Sequence, residues 1–517
     1  MVTQFGIEFA VHLIGNHFGN VVSKLCETLL RRGPLTLDQL IHCTELSLEQ
    51  VKHSLLVLIQ HNCVQPFVSS PQHYDDDADK LRVRTQYLAL FNNIIHRLRF
   101  PKFLETVSQM LDEECVELLN GLLRDGRLTL KQMAERANQG KENAVATKVV
   151  RELLCKLLTA QFVERCPATE PVVSTSFRDT TTRKRGAKSA KVFEAPEALE
   201  QRVLEAAVPA DAIRFSFTAD MGLNVGREKN SDDSQMNIVE EDFAEEELIL
   251  WRANFEEFIC HLRHKVLIEN VRTQHDDETA TVLRALLEAT RTSEKKVKME
   301  NSVPVSLNKI TAEVMKTATG RALTIDRIRA SLSCCSQRMN VDESCSIDLK
   351  KIVEQARDEE VESTVLKRYG KDAYRMFRLL SKDCCFLDTD KIAAHTLVET
   401  KKASKFLHKL WNDKYLHKET QTIVVAGGRP SNIFLWKVNK PLLWECVLDE
   451  MFHAALNLSI RMASEQEKNE ELLNVPKDKL KEAGPLQKEY KRLLNVWLLL
   501  GSSLMKLDDA LLLFQDF

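Results

Sequence analysis

The chain has 517 residues, and its 72 Lys+Arg against 75 Asp+Glu leave a net charge of −3. That balance excludes polyanion binding by bulk charge and confines any nucleic-acid contact to local patches. Hydrophobic content of 44% is ample for cores, and the length suggests roughly three or four domains. Only 16 Gly and 13 Pro beside abundant Leu favour a mainly α chain with short turns. The 13 Cys form no CxxC pair, which fits reduced thiols in a cytosolic or nuclear protein. The opening MVTQFGIEFAVHLIGNHF lacks the basic start and long apolar centre of a secretory signal. No run approaches about 18 apolar residues, so no membrane span is expected.

In chain order, GPLTLDQLIHCTELS predicts a short strand and a short helix after a turn, and SLEQVKHSLLVLIQHNCVQPF a long helix running into a strand. Ser47 and Gln50 form a capping-box pair at the start of the long helix. This is the order of a winged helix, whose second paired helix lies in the DNA major groove in many such domains. With Leu48, Val51, Leu55, Leu58 and Ile59 inward, the outer face shows Glu49, Gln50, His53, Ser54, Val57, Gln60 and His61. Lys52 is placed towards the apolar side. A face without Lys or Arg suits a protein partner better than phosphates.

A second unit repeats the pattern: RDGRLTLKQM echoes RRGPLTLDQL, residues 143–160 read as its long helix, and QFVERC as its strand. Its outward charges are Lys148, Arg151 and Glu152. The units occupy 1–100 and 101–166. Residues 167–247 read as a flexible charged linker with an acidic end, VEEDFAEEE. Its basic run (Arg183, Lys184, Arg185, Lys188 and Lys191) is a nuclear-targeting signal, a phosphate-binding arm or a solvated cluster. Helices resume at Leu248, and a third winged helix spans 248–347, its long helix burying Ile325, Ile328 and Leu332. A fourth spans 348–438. Its TIVVAGGRPSNIFLWKV predicts a wing hairpin around Gly427-Gly428-Arg429-Pro430.

The long helix of the fourth unit gathers charge. With Ala403, Phe406, Leu407, Leu410 and Trp411 inward, its outer face shows Lys401, Lys402, Ser404, Lys405, His408, Lys409 and Asn412. Lys401, Lys402, Lys405 and Lys409 are the candidate DNA-facing residues, and an ordinary solvated face is the alternative. In 439–517 the period changes. Leu486, Tyr490, Leu493, Trp497, Leu500, Leu504, Leu507, Leu511 and Phe514 alternate spacings of four and three, the seam of a coiled coil. Trp444, Val447, Met451, Ala454 and Leu458 give a partial match, so an antiparallel hairpin closes the chain, either as a docking arm or as bundle core. Asp508 and Asp509 read as solvated between heptad positions.

No P-loop, GxGxxG, GxSxG or HExxH occurs, and Cys260, His261 and His264 lack a second ligand pair for zinc. No set of residues would run a reaction.

The order of parts is carried by HFGNVVSKLCETLLRRG, SLEQVKHSLLVLIQHNCV, QFVERCP, WRANFEEFICHLRHKVL, VLKRYGKDAYRMFRLL and SNIFLWKVN. It resembles the largest member of the RNA polymerase III-specific heterotrimer, a subunit of four extended winged helices. The resemblance covers nearly the whole chain and is thinnest across 168–247 and 339–347. It implies a non-catalytic nuclear subunit of the polymerase that transcribes transfer RNA, 5S ribosomal RNA and other short genes. It implies two smaller heterotrimer subunits as partners, docking on the clamp of the polymerase III core, and a part in promoter opening. Weak, non-specific contact with promoter DNA is expected, with no cofactor, metal, membrane or small-molecule substrate. A free-standing winged-helix transcription factor or a cullin-like scaffold is the alternative.

Overall fold

The computed structural model describes residues 2–70, 84–137, 143–174, 196–209, 211–217, 249–291, 300–334, 337–339, 344–383, 385–423, 431–473 and 484–517. The basic run 183–191, the acidic run 239–247 and the wing tip 427–430 lie outside them. The chain divides into two compact units, one built on Ile7–Ile259 and one on Cys260–Phe517. Among the described residues four small sheets, each beside its own short helices, mark the tandem winged helices.

In the first unit, the helix Leu48–Gln60 starts at the expected capping box: the Ser47 side chain accepts from Gln50 N–H, and the Gln50 side chain accepts from Ser47 N–H. The face it presents is rotated from the expected one. Leu48 is 45% exposed and Leu56 63%, while Ser54 is buried and Gln60 and His61 are half-buried. Lys52 is exposed, so this face does carry one cation. Leu48 falls in the first turn, beyond the packed part of the helix, and Ser54 is small enough to fit against its neighbours.

The long helix ends in the same way in three of the winged helices. Asn62, Gln161 and Lys414 hold φ of 58°, 61° and 64°. The next residue's N–H returns to the helix, from Cys63 to Leu58 O, Phe162 to Leu157 O and Tyr415 to Leu410 O. This is a left-handed cap, and it aims the chain into the wing.

The linker expectation is corrected in three places, 172–174, 196–207 and 211–217. Val172–Ser174 adds to the first sheet as a strand parallel to Val64–Ser70. The helix Pro196–Ala207 sends Val203 into an apolar cluster with Phe67, Leu88, Leu90 and Val173. Leu250–Ala253, expected to be helical, is a strand. It lies between Leu128–Thr129 and Val163–Arg165 and completes the second winged helix from beyond the linker. Its alternation buries Trp251 and Ala253. Glu164, 3% exposed in its side chain, pairs with Arg252 at 2.8 Å and with Arg214 from the linker. Arg165 donates to the carbonyls of Ser216 (2.8 Å) and Phe217 (2.6 Å), so 211–217 is fastened to this wing.

The first two winged helices are locked at one turn. Arg127 N–H donates to Gln60 O at 3.1 Å, the Gln60 amide donates to Asp125 O at 3.0 Å, and Arg127 Nε donates to Asn62 Oδ1 at 3.0 Å. In the repeat, Arg127 stands where the first unit has Pro34, which has no N–H to give. The repeat glycines Gly33 and Gly126 have φ of 80° and 83°. A Cβ on Gly33 meets nothing within 4 Å, whereas one on Gly126 would lie 2.0 Å from Gln60 O.

In the second unit the helix Leu349–Tyr369 ties the parts together. Gln274 donates to Glu359 at 2.6 Å, Lys440 pairs with Asp358 at 2.6 Å, and Arg368 pairs with Glu450 at 2.9 Å. In the third winged helix Ile325, expected inward, is 52% exposed, while Ile328 and Leu332 are buried.

Gly33→Ala should lose about 1–2 kcal/mol for its positive φ. Gly126→Ala should lose about 1–3 kcal/mol more from overpacking. Calorimetric unfolding of the two variants measures the difference, and equal losses would contradict the lock.

Candidate nucleic-acid interface

The fourth winged helix is assembled from local signals. Asp388 caps the helix Thr389–Thr396 by accepting from Lys391 N–H at 2.7 Å. The chain turns at Leu397, with φ of 55°, and enters the helix Thr400–Asn412. That helix buries Ala403, Leu407 and Leu410. The wing strands His417–Ile423 and Ser431–Lys437 pair antiparallel, from His417↔Lys437 to Ile423↔Ser431. Trp436 is fully buried between helix and sheet and donates to Thr389 Oγ1 at 2.9 Å.

Lys401, Lys402, Lys405 and Lys409 are all exposed. At about 100° per residue they fall within about 100° of helix arc. Lys402 Nζ lies 4.0 Å from Glu399, and Lys409 Nζ lies 5.2 Å from the Tyr369 ring centre. The Tyr369 hydroxyl donates to Asp413 at 2.5 Å, and burial together with that carboxylate pushes its pKa up to about 12. Asp413 is thereby occupied beside the cationic face.

Three residues of this helix depart from expectation, among them Ser404, which is half-buried rather than outward. Trp411 is not inward: it sits at the edge, 39% exposed, with Lys418 Nζ 3.6 Å from its ring centre. His408 is half-buried rather than outward, with ring centres 5.4 Å from Phe434 and 5.0 Å from Trp436, and its Nδ1 lies 2.8 Å from Ser404 O. The cause is the wing, which folds over that flank and whose aromatic residues helical periodicity alone does not reveal.

The equivalent helices elsewhere carry less free charge. In Asn143–Thr159, Lys148 is exposed, Lys156 pairs with Asp112 at 2.5 Å, and Arg151 stacks 5.2 Å from the Phe217 ring. In Ile325–Cys334, Arg327 pairs with Glu278 and Arg329 is exposed.

The hairpin consists of Lys440–Lys468 and Gly484–Leu511, followed by a π-helical turn at Leu512–Asp516. Leu493, Leu504, Leu511 and Phe514 of the seam are buried. Tyr490, Trp497, Leu500 and Leu507 are half-buried, and the Leu486 side chain lies outside the described ones. The seam therefore closes the hairpin on itself: Leu493 packs with Leu472, Tyr490 and Trp497. Ala454 of the partner helix is exposed. Asp508 is fully buried rather than solvated, whereas Asp509 is exposed. Arg357 donates to Leu513 O at 2.9 Å and lies 5.2 Å from the Trp444 ring, fixing the terminal turn. The outer face of the last helix shows Leu494 (42% exposed), Leu498 (73%) and Leu499 (67%).

Cys260 Sγ lies 3.6 Å from His264 Nε2. Among the described residues no group of three His, Cys, Asp or Glu side chains is placed to hold a metal, and no helix is long and apolar enough to cross a membrane.

The architecture defines a tandem winged-helix protein closed by a helical hairpin. Residues 8–69 match the family model described as the RNA polymerase III subunit RPC82 helix-turn-helix domain, and residues 152–415 match that of RNA polymerase III subunit RPC82. The chain is similar to the DNA-directed RNA polymerase III subunit RPC3 of Bos taurus, 23% identical over 484 residues, covering 91% of this chain and 86% of the relative. The Homo sapiens protein of that name is 23% identical over 490 residues with the same coverage. That of Dictyostelium discoideum is 29% identical over 179 residues, covering 32% of this chain and 27% of the relative. The chain belongs to the RNA polymerase III subunit RPC82 family, so the resemblance read from its motifs and the fold expected with it are borne out.

Leu493→Ala should destabilise the hairpin by about 2–4 kcal/mol, and Leu498→Ala by less than about 0.5 kcal/mol. Denaturant titration followed by helical circular dichroism measures both, and similar losses would contradict the inward seam.

Proposed function

We propose that this subunit of RNA polymerase III is non-catalytic and positional. It works in the nucleus within a heterotrimer that docks on the clamp of the polymerase core and acts in promoter opening at transfer-RNA, 5S ribosomal RNA and other short genes. Family membership supports the polymerase role. One observation carries the DNA role: four exposed lysines on one arc of the fourth winged helix, where the other three long helices present fewer exposed cations. Lysines on an exposed arc hold phosphates without reading sequence, so the contact is weak and non-specific. The basic run 183–191 serves as a nuclear-targeting or phosphate-binding segment.

The hairpin fastens the subunit to the core through Leu494, Leu498 and Leu499. The heptad seam is turned inward, with Leu493, Leu504, Leu511 and Phe514 buried and Leu493 packed on Leu472.

Replacing Lys401, Lys402, Lys405 and Lys409 together by Glu should leave assembly intact and weaken promoter opening, read by permanganate reactivity of unpaired thymines. The isolated chain's salt dependence of DNA binding should lose about 3–4 units of log–log slope. Unchanged opening at normal promoter occupancy would discard the DNA role. Leu494, Leu498 and Leu499 changed together to Lys should abolish co-purification with the polymerase core while the chain stays folded. Retained co-purification would count against this anchor.

A further inference from the structure

A pocket of about 520 Å³ opens within the Ile7–Ile259 unit where separate stretches of chain meet, 165–169 after the wing strand, 206–209 from the linker and 249–250 at the inserted strand. Backbone hydrogen bonds join these walls: Ala168 N–H donates to Ala207 O and Cys166 N–H to Leu250 O, each at 2.9 Å. Arg165, on the same wall, is held by the carbonyls of Ser216 and Phe217. The site is thus built from parts that the second winged helix already fixes, and its volume is that of a small-molecule site.

Its chemistry is one-sided. Pro167, Val208, Pro209, Ile249 and Leu250 make the walls apolar, and the titratable residues on them are Arg127, Arg165 and Cys166. Burial pushes the Cys166 thiol up to about 11, so it is neutral near pH 7. Glu164, one residue away along the chain, is shared by Arg214 and Arg252. Arg127 is 6% exposed; its Nε donates to Asn62 Oδ1 at 3.0 Å, and Nη2 is buried with no hydrogen-bond partner. Burial lowers its pKa from the ordinary value, an effect that the Cys166 thiol offsets in part and Arg252 adds to. Among the described residues no carboxylate stands with it. A buried cation left in this way is costly, and an anion brought by a ligand removes that cost.

The head group that suits a guanidinium is a carboxylate, which can accept from its fork with two oxygens. The body must be apolar, because the N–H groups of Cys166 and Ala168 and the carbonyls of Ala207 and Leu250 are already spent on one another. A peptide segment would bring backbone N–H and C=O groups that such walls leave unpaired.

We propose that this pocket binds a small apolar carboxylate, with its head group on Arg127 and its body against Pro167, Val208, Pro209 and Ile249. The lysine arc belongs to the other unit, and the pocket makes no use of it.

The test titrates the full-length chain with pyrenebutyrate and with pyrenebutanol, which has the same body and no charge, and reads the anisotropy of pyrene emission. Pyrenebutyrate should bind about ten-fold tighter or more, the usual effect of a charge-assisted hydrogen bond. Arg127→Met should bring the two within about two-fold, while Arg127→Lys keeps most of the preference. Ala206 is exposed and lines the pocket, so Ala206→Trp should weaken both ligands by about ten-fold or more through filling it. That variant leaves Arg127 and its bond to Asn62 in place and serves even where the Arg127 variants do not fold. Equal affinity for acid and alcohol, no binding of either, or unchanged binding in Ala206→Trp would each overturn the assignment. Displacement of pyrenebutyrate by a blocked Leu-Asp-Leu peptide at lower concentration than by octanoate would overturn it too, and would give the pocket to a polypeptide.

Discussion

Much of the Cys260–Phe517 unit hangs on the polar contacts of one helix, Leu349–Tyr369. Along its length Arg357 holds the carbonyl of Leu513 and lies over Trp444, Asp358 receives Lys440, Arg368 reaches Glu450, and Tyr369 binds Asp413 at the foot of the lysine-bearing helix. Charge-assisted contacts of this kind fix orientation more than they add stability. They join the helical hairpin to the fourth winged helix, so a chain held by its hairpin would also hold the Lys401–Lys409 arc in a set place. In the Ile7–Ile259 unit the same constraint is met by backbone: Arg127 N–H on Gln60 O, with Gly126 leaving room for the approach.

Much of this was legible in the residues. The capping box Ser47/Gln50, the repeat RRGPLT/RDGRLT and the bounds of Thr400–Asn412 follow from local chemistry, and the structure has each of them. Local signals also sufficed for the lysine arc, since helical spacing alone puts those four side chains on one side. The family resemblance, drawn from the order of these parts, is met by family models over 8–69 and 152–415.

What sequence reading missed depends on partners distant in the chain. Leu250–Ala253 is a strand because two strand edges from 128–129 and 163–165 await it, and nothing within its four residues announces them. Pro196–Ala207 looks like linker until Val203 meets Phe67 and Val173. Trp411 reads as inward because it is large and apolar, but the wing leaves its edge open and sets Lys418 over its ring. Asp508 reads as solvated by its place between heptad positions, yet it is fully buried. The heptad seam is visible in the spacing, and its use as a docking arm or as bundle core is left open there. The stripe is largely buried within the hairpin, while Leu494, Leu498 and Leu499 of the last helix and Leu442 and Ile460 of the first are exposed.

Under the proposed function, two surfaces of the same unit divide the work, the Lys401–Lys409 arc facing DNA and the exposed leucines of the last helix facing the polymerase. Site-specific photo-crosslinking in the assembled polymerase on an open promoter tests that division most directly, with a photoreactive residue placed at Lys405 in one preparation and at Leu498 in another. The account predicts adducts to promoter DNA from position 405 and to polymerase polypeptide from position 498. Adducts from position 405 to polypeptide alone, with none to DNA at normal promoter occupancy, would contradict it.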